Sequence, residues 1–517
     1  MKKYDDRDRN SILEYARKAQ GLKISDMCTD AKAINPKDKG AVGNLIQESY
    51  FGIPRNSSSE PDFEKAGIEL KAFGYWEDAE KPKADQRLAL SKIDFMEFEK
   101  EVPFEQSHLY HKCKCMLMMA YLLKLGQKRI DSEIRYVRLY ELDKIVSRDW
   151  KQIVNDYYTI MGKIHDGKAS ELSEGDTELL GAARTGDKNS KLEKAPKDDM
   201  ALPRRFALKQ SYVTYLLKEY IVPGNEFNKK VKCSTKEFHI KIPRGKTFEQ
   251  WLNVIDGKYV GKTAVKLSRL KKIKKITGPI SFTDKNAYSR IGLAMLGTTS
   301  NKDSYLQKTN TVVKSVRIQK NGKIKEKWSF PNFGVEDIVD QEWEESEIFM
   351  YLSEQRILMQ IFVEEENGYV YKGHLFLKFT PEVLDEYVKQ TWESFKKKVI
   401  EGISFVLELR GKGFEICSDV QGKTSGQIGL IKLHARDITY DIDRKHIHGD
   451  SREAEKILDD NTVNGRFVWK PQNRDKYGCK ILNGDVITKQ SFWLNNDFVL
   501  KYIRDKKPEI FSNIGEC

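Results

Sequence analysis

Residues 61–73 read Pro61-Asp62-Phe63-Glu64-Lys65-Ala66-Gly67-Ile68-Glu69-Leu70-Lys71-Ala72-Phe73. Ile68, Leu70 and Ala72 alternate with Glu69, Lys71 and Phe73, which is the two-residue period of a β-strand. That period puts Glu69 and Lys71 on one face. Asp62 lies just ahead, beyond a turn at Gly67, within reach of the same face. Phosphodiester hydrolysis uses such a set. Hard carboxylate oxygens suit a magnesium ion that keeps several waters and takes a phosphate oxygen. A neighbouring lysine orients or deprotonates the attacking water and stabilises added negative charge. Two adjacent acids also need a cation, or one of them keeps its proton. In a chain that is 32% charged, Glu-x-Lys pairs are also ordinary surface features, so the flanking sequence has to supply further support.

Upstream, Val42, Leu45, Ile46, Ser49 and Tyr50 recur at helical spacing, and Gly52 is placed to end the helix. Glu48 sits at the edge of its buried face, either as a further carboxylate or as a solvent-facing glutamate. Downstream, Ser107-His108-Leu109-Tyr110-His111-Lys112-Cys113-Lys114 leads into an apolar run. Read as a strand, this segment sets Lys112 and Lys114 on one face at its mouth. One of them then reaches a phosphate, or both form a lysine rim.

Helix and strand periodicities alternate along the chain, which predicts an α/β or α+β protein of mixed sheets flanked by helices. The chain also repeats itself. Phe206-Ala207-Leu208 followed by Tyr212-Val213 is matched by Phe492-Trp493-Leu494 followed by Phe498-Val499. Trp150 and Trp392 each precede a helical pattern, and Gly21-Leu22-Lys23-Ile24 is matched by Gly261-Lys262-Thr263-Ala264. Three matches in one order imply two copies of one domain. The expected boundaries are 1–221 for the first copy, 222–244 for a linker, and 245–517 for the second.

The 517 residues suit two or three domains. Lys and Arg exceed Asp and Glu by 90 to 77, a formal charge of +13, which points to a polyanionic partner. A membrane fits less well than nucleic acid. The longest clearly apolar run, Met116–Leu123, is too short to span a bilayer, and the charged N-terminus reads as having no signal segment. Seven scattered cysteines without zinc-finger spacing read as free thiols of a reducing cytoplasm. His446 and His448 lack supporting ligands. Gly261-Lys262-Thr263 and Gly422-Lys423-Thr424 end like P-loops, but Asp256 and Cys417 stand where the earlier glycine belongs, which excludes ATP chemistry of that kind. The basic run 262–275 is either a solvated helix face or a phosphate-binding surface.

Taken together, Gly43…Glu48-Ser49-Tyr50-Phe51-Gly52, Pro61-Asp62…Gly67-Ile68-Glu69-Leu70-Lys71 and His111-Lys112-Cys113-Lys114 resemble the MutH family, which contains a mismatch-repair nicking enzyme and GATC-cutting restriction enzymes. Trp150, Leu172–Asp176, Leu180, 184–190 and Phe206–Lys209 continue the likeness over about the first 220 residues. The two-copy layout is similar to the restriction-enzyme branch. The resemblance implies a restriction-endonuclease-like core in each copy and magnesium-dependent double-strand cleavage of DNA at GATC by a bacterial cytoplasmic enzyme. It implies metal ligation by Glu48, Asp62 and Glu69, the motif lysine at Lys71 and an extra active-site lysine at Lys114. Counting from Gly43 favours Gln47 over Glu48, whereas counting back from Gly52 favours Glu48. The base-reading segment falls near Arg184, with Thr185 and Lys188 as rivals, and Lys209 joins the expected DNA contacts. An arginine there suits a bidentate contact to guanine.

In the second copy Lys314 aligns with Lys71, but Val312 stands for Glu69 and Tyr305 for Asp62. A copy without these acids is expected to bind no magnesium in that place. The resemblance makes it a DNA-binding effector domain, with Arg436 in the loop 434–437 reading a second DNA site. The whole is expected to be a monomer in solution that dimerises on DNA.

Overall fold

The apolar run at 116–123 is the strand on which the N-terminal half is built. The computed structural model describes residues 3–28, 40–54, 60–78, 81–124, 127–186, 189–229, 238–333, 338, 341–401, short strands between 403 and 469, and 490–512. In chain order the first half contains α1 (Arg9–Arg17), α2 (Ala41–Leu45), β1 (Glu69–Asp78), β2 (Lys81–Ala84), β3 (Leu88–Lys92), α3 (His108–Cys113), β4 (Cys115–Leu122), β5 (Glu133–Glu141), α4 (Ser147–His165), β6 (Leu180–Arg184), β7 (Arg204–Leu208) and α5 (Gln210–Leu216). One sheet runs β2-β1-β4-β5 and a second runs β3-β7-β6. Strands β1 and β4 are parallel, with Glu69 opposite Met116 and Lys71 opposite Met118. The other pairings are antiparallel.

A strand covered on both faces has to be apolar on both, and every residue of β4 is buried. Met116, Met118 and Ala120 share one core with Phe73 and Tyr75 of β1, Ile153, Tyr157 and Ile160 of α4, and Leu180 and Phe206 of the second sheet. Leu117, Met119 and Tyr121 share the other with Ile68, Leu70, Ile12 of α1 and Leu45 of α2. The alternation read at 68–73 therefore holds, and Glu69 and Lys71 lie on the Phe73 side of β1.

Helix α2 differs from a simple helix. It continues as a π turn over Ile46–Tyr50, with Phe51 N bonded to Ile46 O, and stops at Gly52, whose φ is 67°. Lys112 and Lys114 also differ from the strand reading. Ser107 caps α3 through Tyr110 N, Lys112 lies in the last turn of that helix, and Lys114 is its C-terminal cap. Strand β4 starts only at Cys115.

The second half contains α6 (Phe248–Tyr259), α7 (Ala264–Arg269), α8 (Lys271–Thr277), α9 (Ala287–Met295), α10 (Ser304–Lys308), β8 (Thr311–Ile318), α11 (Glu347–Glu354), β9 (Arg356–Glu365), β10 (Gly368–Leu377) and α12 (Lys389–Glu401). Its sheet β8-β9-β10 repeats the order β1-β4-β5, and its middle strand again opens with a fully buried run.

The local fastenings repeat as well. Gly21 N donates to Ile134 O and Ile134 N to Leu22 O; Gly261 N donates to Tyr371 O and Tyr371 N to Lys262 O. Ser107 Oγ donates to Phe104 O and caps Tyr110 N; Ser346 Oγ donates to Trp343 O and caps Phe349 N. Phe104 packs on Trp150 at 5.4 Å between ring centres, and Trp343 on Trp392 at 5.6 Å. Gly67 and Asn310 both take left-handed backbone, at φ 63° and 48°.

The chain divides into two compact units. One is Met1–Ile255 with Ser268–Val313 and Glu354–Leu358; the other is Asp256–Leu267, Lys314–Ser353 and Met359–Cys517. Segments that the sequence places in the second copy thus pack into the first unit. Among the described residues no helix is long and apolar enough to cross a membrane.

Candidate active site

The loop before β1 is shaped to return Asp62 to the strand. Phe63 N donates to Ile68 O and Ile68 N to Phe63 O, closing a short loop around the 3-10 turn Glu64–Ala66 and the left-handed Gly67. Arg9 Nε donates to Ala66 O at 2.9 Å and pins that loop to α1. The consequence is a reciprocal lock. Asp62 Oδ2 accepts from Leu70 N at 2.9 Å, and Glu69 Oε2 accepts from Asp62 N at 3.2 Å.

Lys71 Nζ donates to Glu69 Oε1 at 2.9 Å and to Leu90 O at 3.3 Å. Lys112 Nζ lies 3.8 Å from the same Glu69 oxygen. Glu69 is buried at 4% exposure, while both lysines are mostly covered. Burial, and then the charge of Glu69, push the Asp62 carboxyl up to about 6, against the opposing pull of Leu70 N–H, Lys71 and Lys112. Burial pulls Lys71 down, but Glu69, Cys113 and Asp62 outweigh it and hold the ammonium above its ordinary range. Burial drives the Cys113 thiol up to about 12, which keeps it neutral and out of the chemistry. At the exposed rim, His111 Nε2 meets Glu60 Oε2 at 2.7 Å.

This donor set fits a hard divalent cation. Asp62 Oδ1 carries no hydrogen bond among the described residues, and two crowded carboxylates, one of them with a raised pKa, are relieved by an added positive charge. Magnesium commonly takes only one or two protein carboxylates and completes its shell with water and phosphate. Among the described residues no three His, Cys, Asp or Glu side chains converge on one point. Asp62 and Glu69 are therefore brought together, and Glu48 is not grouped with them. Glu48 is exposed on the π turn, and Gln47 is half-buried with Nε2 directed at Pro54 O.

Lys114 stands behind Gly67, with its Cε 3.8 Å from where a Cβ on that glycine would be. Lys112 is the lysine that faces Glu69. The signal that finds it is the Ser107 N-cap: once 108–113 is helical, burying Leu109 and Cys113 turns Lys112 toward β1.

The expected DNA-reading residues are more deeply set than a flexible loop would place them. Arg184 ends β6 at 7% exposure, opposite Arg204 of β7. Thr185 follows, with its N–H on Pro203 O. Lys188 and Arg436 lie outside the described residues. Lys209 is fully buried, with Nζ on Thr177 O at 2.6 Å. Burial, then the neighbouring Arg356, lower its pKa, while the carboxylates of Asp156, Glu354 and Glu174 oppose them. It presents no exposed surface for a phosphate contact in this structure.

The second-copy positions also behave as their residue types require. Tyr305 is buried, with its hydroxyl on Glu178 Oε2 at 2.6 Å. Lys314 is half-buried, and burial lowers its pKa.

Comparison with known proteins places this geometry. Residues 51–156, which include Asp62, Glu69, Lys71 and Lys112, match the family model of the DNA mismatch repair enzyme MutH. The chain is similar to the type II restriction enzyme Sau3AI of Staphylococcus aureus, at 29% identity over 91% of this chain and 93% of the relative. It is also similar to the DNA mismatch repair protein MutH of Serratia proteamaculans, at 26% identity over 40% of this chain and 92% of the relative.

Proposed function

We propose that the chain is a site-specific deoxyribonuclease of the type II restriction kind, built like the MutH family it resembles, and that it makes magnesium-dependent double-strand breaks in DNA at GATC. The observation that carries the chemistry is the lock between Asp62 and Glu69, with Lys71 bonded to the Glu69 carboxylate. Asp62 and Glu69 would hold the ion, which when bound supplies charge neutralisation at the phosphate and acidifies a water. Lys71 stays protonated and donates to the attacking water or to a phosphate oxygen, stabilising the charge that builds up. Lys112 adds a second donor beside the same carboxylate, and Lys114 supports the loop that carries Asp62.

In this reading 1–221 is the nuclease, 222–244 the linker, and 245–517 the DNA-binding effector half. GATC follows from the likeness to the restriction-enzyme branch. Arg184, Thr185 and Lys188 read the bases in the first half, and Arg436 reads a second DNA site. Tyr305 and Val312 at the positions of the acids support a second half without catalysis. The enzyme is a monomer that dimerises on DNA and engages two sites at once.

The test is incubation of the chain with unmethylated plasmid carrying several GATC sites, with and without magnesium, beside Asp62→Ala. The reading requires discrete fragments mapping to GATC that vanish in the variant and without metal. Nicked circles alone would convert it to the strand-nicking activity of the repair branch. Intact plasmid with salt-dependent retardation would leave a DNA-binding protein without cleavage.

A further inference from the structure

The two copies diverge in charge over the segment that follows the matched glycines Gly21 and Gly261. Between Gly21 and Gly40 the first copy carries four lysines against three aspartates. Between the matching Gly261 and Gly278 the second carries six lysines and one arginine and no acidic residue. The copy with valine and tyrosine in place of the carboxylates is thus the copy whose following segment is purely cationic.

Helix α8 displays these cations. Ile273 is fully buried, whereas Lys271, Lys272, Lys274 and Lys275 are exposed, as is Arg269 just ahead of them. The far end of the helix is fastened by Arg290 of α9, which donates to the carbonyls of Thr277 and Pro279. Lys275 Nζ lies 5.7 Å from the centre of the Phe238 ring. Arg269, Lys271 and Lys274 have no carboxylate at ion-pair distance among the described residues. Lys271 with Lys274, Lys271 with Lys275 and Lys272 with Lys275 are like charges at three- and four-residue spacing, which destabilises a helix. Crowded cations on an anchored helix, with no neutralising acid in the segment, match a partner that brings closely spaced negative charge. Duplex DNA presents one such charge about every 1.7 Å along its axis.

We infer that the exposed face of α8, with Arg269, is a sequence-independent contact for the phosphate backbone of double-stranded DNA, separate from the site that cuts. This rests on the reading that the second half binds DNA. The face supplies affinity and counterion release and leaves base reading to other residues.

The experiment compares the full chain with a variant carrying Lys271→Ala, Lys272→Ala, Lys274→Ala and Lys275→Ala. The measurement is binding to a short duplex lacking GATC across a series of salt concentrations. Alanine favours the helix, so the fold is retained, and circular dichroism checks that it is. The expected result is a log–log salt dependence shallower by about 0.9 for each phosphate that the variant no longer neutralises, about 2–4 in all. The fourfold Lys→Arg variant should restore the slope. A wild-type chain that binds and cuts, together with an alanine variant of unchanged slope, overturns the phosphate face alone. A wild-type chain that neither binds nor cuts DNA overturns this inference together with the function on which it rests.

Discussion

Lys112 Nζ stands 3.8 Å from Glu69 Oε1, the oxygen that also takes the 2.9 Å bond from Lys71. Two cations on one buried carboxylate have different consequences from a lysine behind the loop. Lys112→Ala is expected to slow single-turnover cleavage about 100-fold, the usual scale for removing one donor to a developing anion. Lys114→Ala, which acts only through the Gly67 loop, should slow it less than about fivefold. The reverse order in a rapid-quench assay would return the extra lysine to position 114.

Asp62 makes the site sensitive to pH in a direction opposite to most paired carboxylates. Its carboxyl keeps its proton up to about pH 6 in the folded chain but only to about pH 4 when unfolded. Between those values the folded state binds more protons, so stability falls as pH rises from about 4 to about 6 and then stays lowered. Asp62→Asn removes this penalty and should melt about 2–4 °C above the wild type at pH 7, with no advantage at pH 4. Magnesium should raise the wild-type midpoint at pH 7 and leave that of the variant nearly unchanged. Scanning calorimetry at two pH values with and without metal checks both statements.

Gly67 tests the loop. A Cβ there would meet nothing closer than 3.7 Å, so only the backbone at φ 63° resists substitution. Gly67→Ala should cost about 1–2 kcal/mol and lower cleavage by tilting Asp62 away from Leu70 N. Gly67→Asn should cost less, because asparagine tolerates this conformation, as Asn310 does in the second copy. Urea denaturation of the two variants, with equal losses, would contradict this.

Lys209 separates an interior role from a DNA contact. Lys209→Met leaves Glu174, Glu354 and Asp156 short of a cation, and breaking such a buried set costs about 3–5 kcal/mol. The expected phenotype is a lower melting midpoint with cleavage at GATC retained by the folded fraction. Full stability with relaxed site preference would instead make Lys209 a reader of DNA.

The sequence discloses whatever depends on a two-residue period. Ile68 to Phe73 is enough to place Glu69 and Lys71 on one face, whereas the backbone bonds of Gly21 to Ile134 and of Gly261 to Tyr371 join residues far apart in the chain and show only in the folded structure. Features that depend on a mixed helix–strand junction are harder to read. Lys112 and Lys114 satisfy strand alternation, and only the Ser107 cap turns 108–113 into a helix that aims Lys112 at Glu69. The ambiguity between Gln47 and Glu48 has a similar origin. A π turn holds one more residue than an α turn, so counting from Gly43 and counting back from Gly52 give different answers on either side of it. Lys209 escapes a local reading because a lysine after an apolar strand looks exposed until tertiary packing encloses it among carboxylates.

The serine caps at 107 and 346, the backbone bonds at Gly21 and Gly261 and the aromatic pairs around Trp150 and Trp392 bear on the history of the molecule. If the proposed second half no longer reacts, it still has to fold. The fastenings common to both halves record that shared obligation. The differences at 62 against 305, at 69 against 312 and in the segment before α9 fall where the proposed division of labour between the halves requires them. On the proposed two-copy reading the chain carries its own reference: Ser107 and Ser346, alike in both halves, hold the fold, and the paired acids Asp62 and Glu69, present only in the first, belong to the reaction.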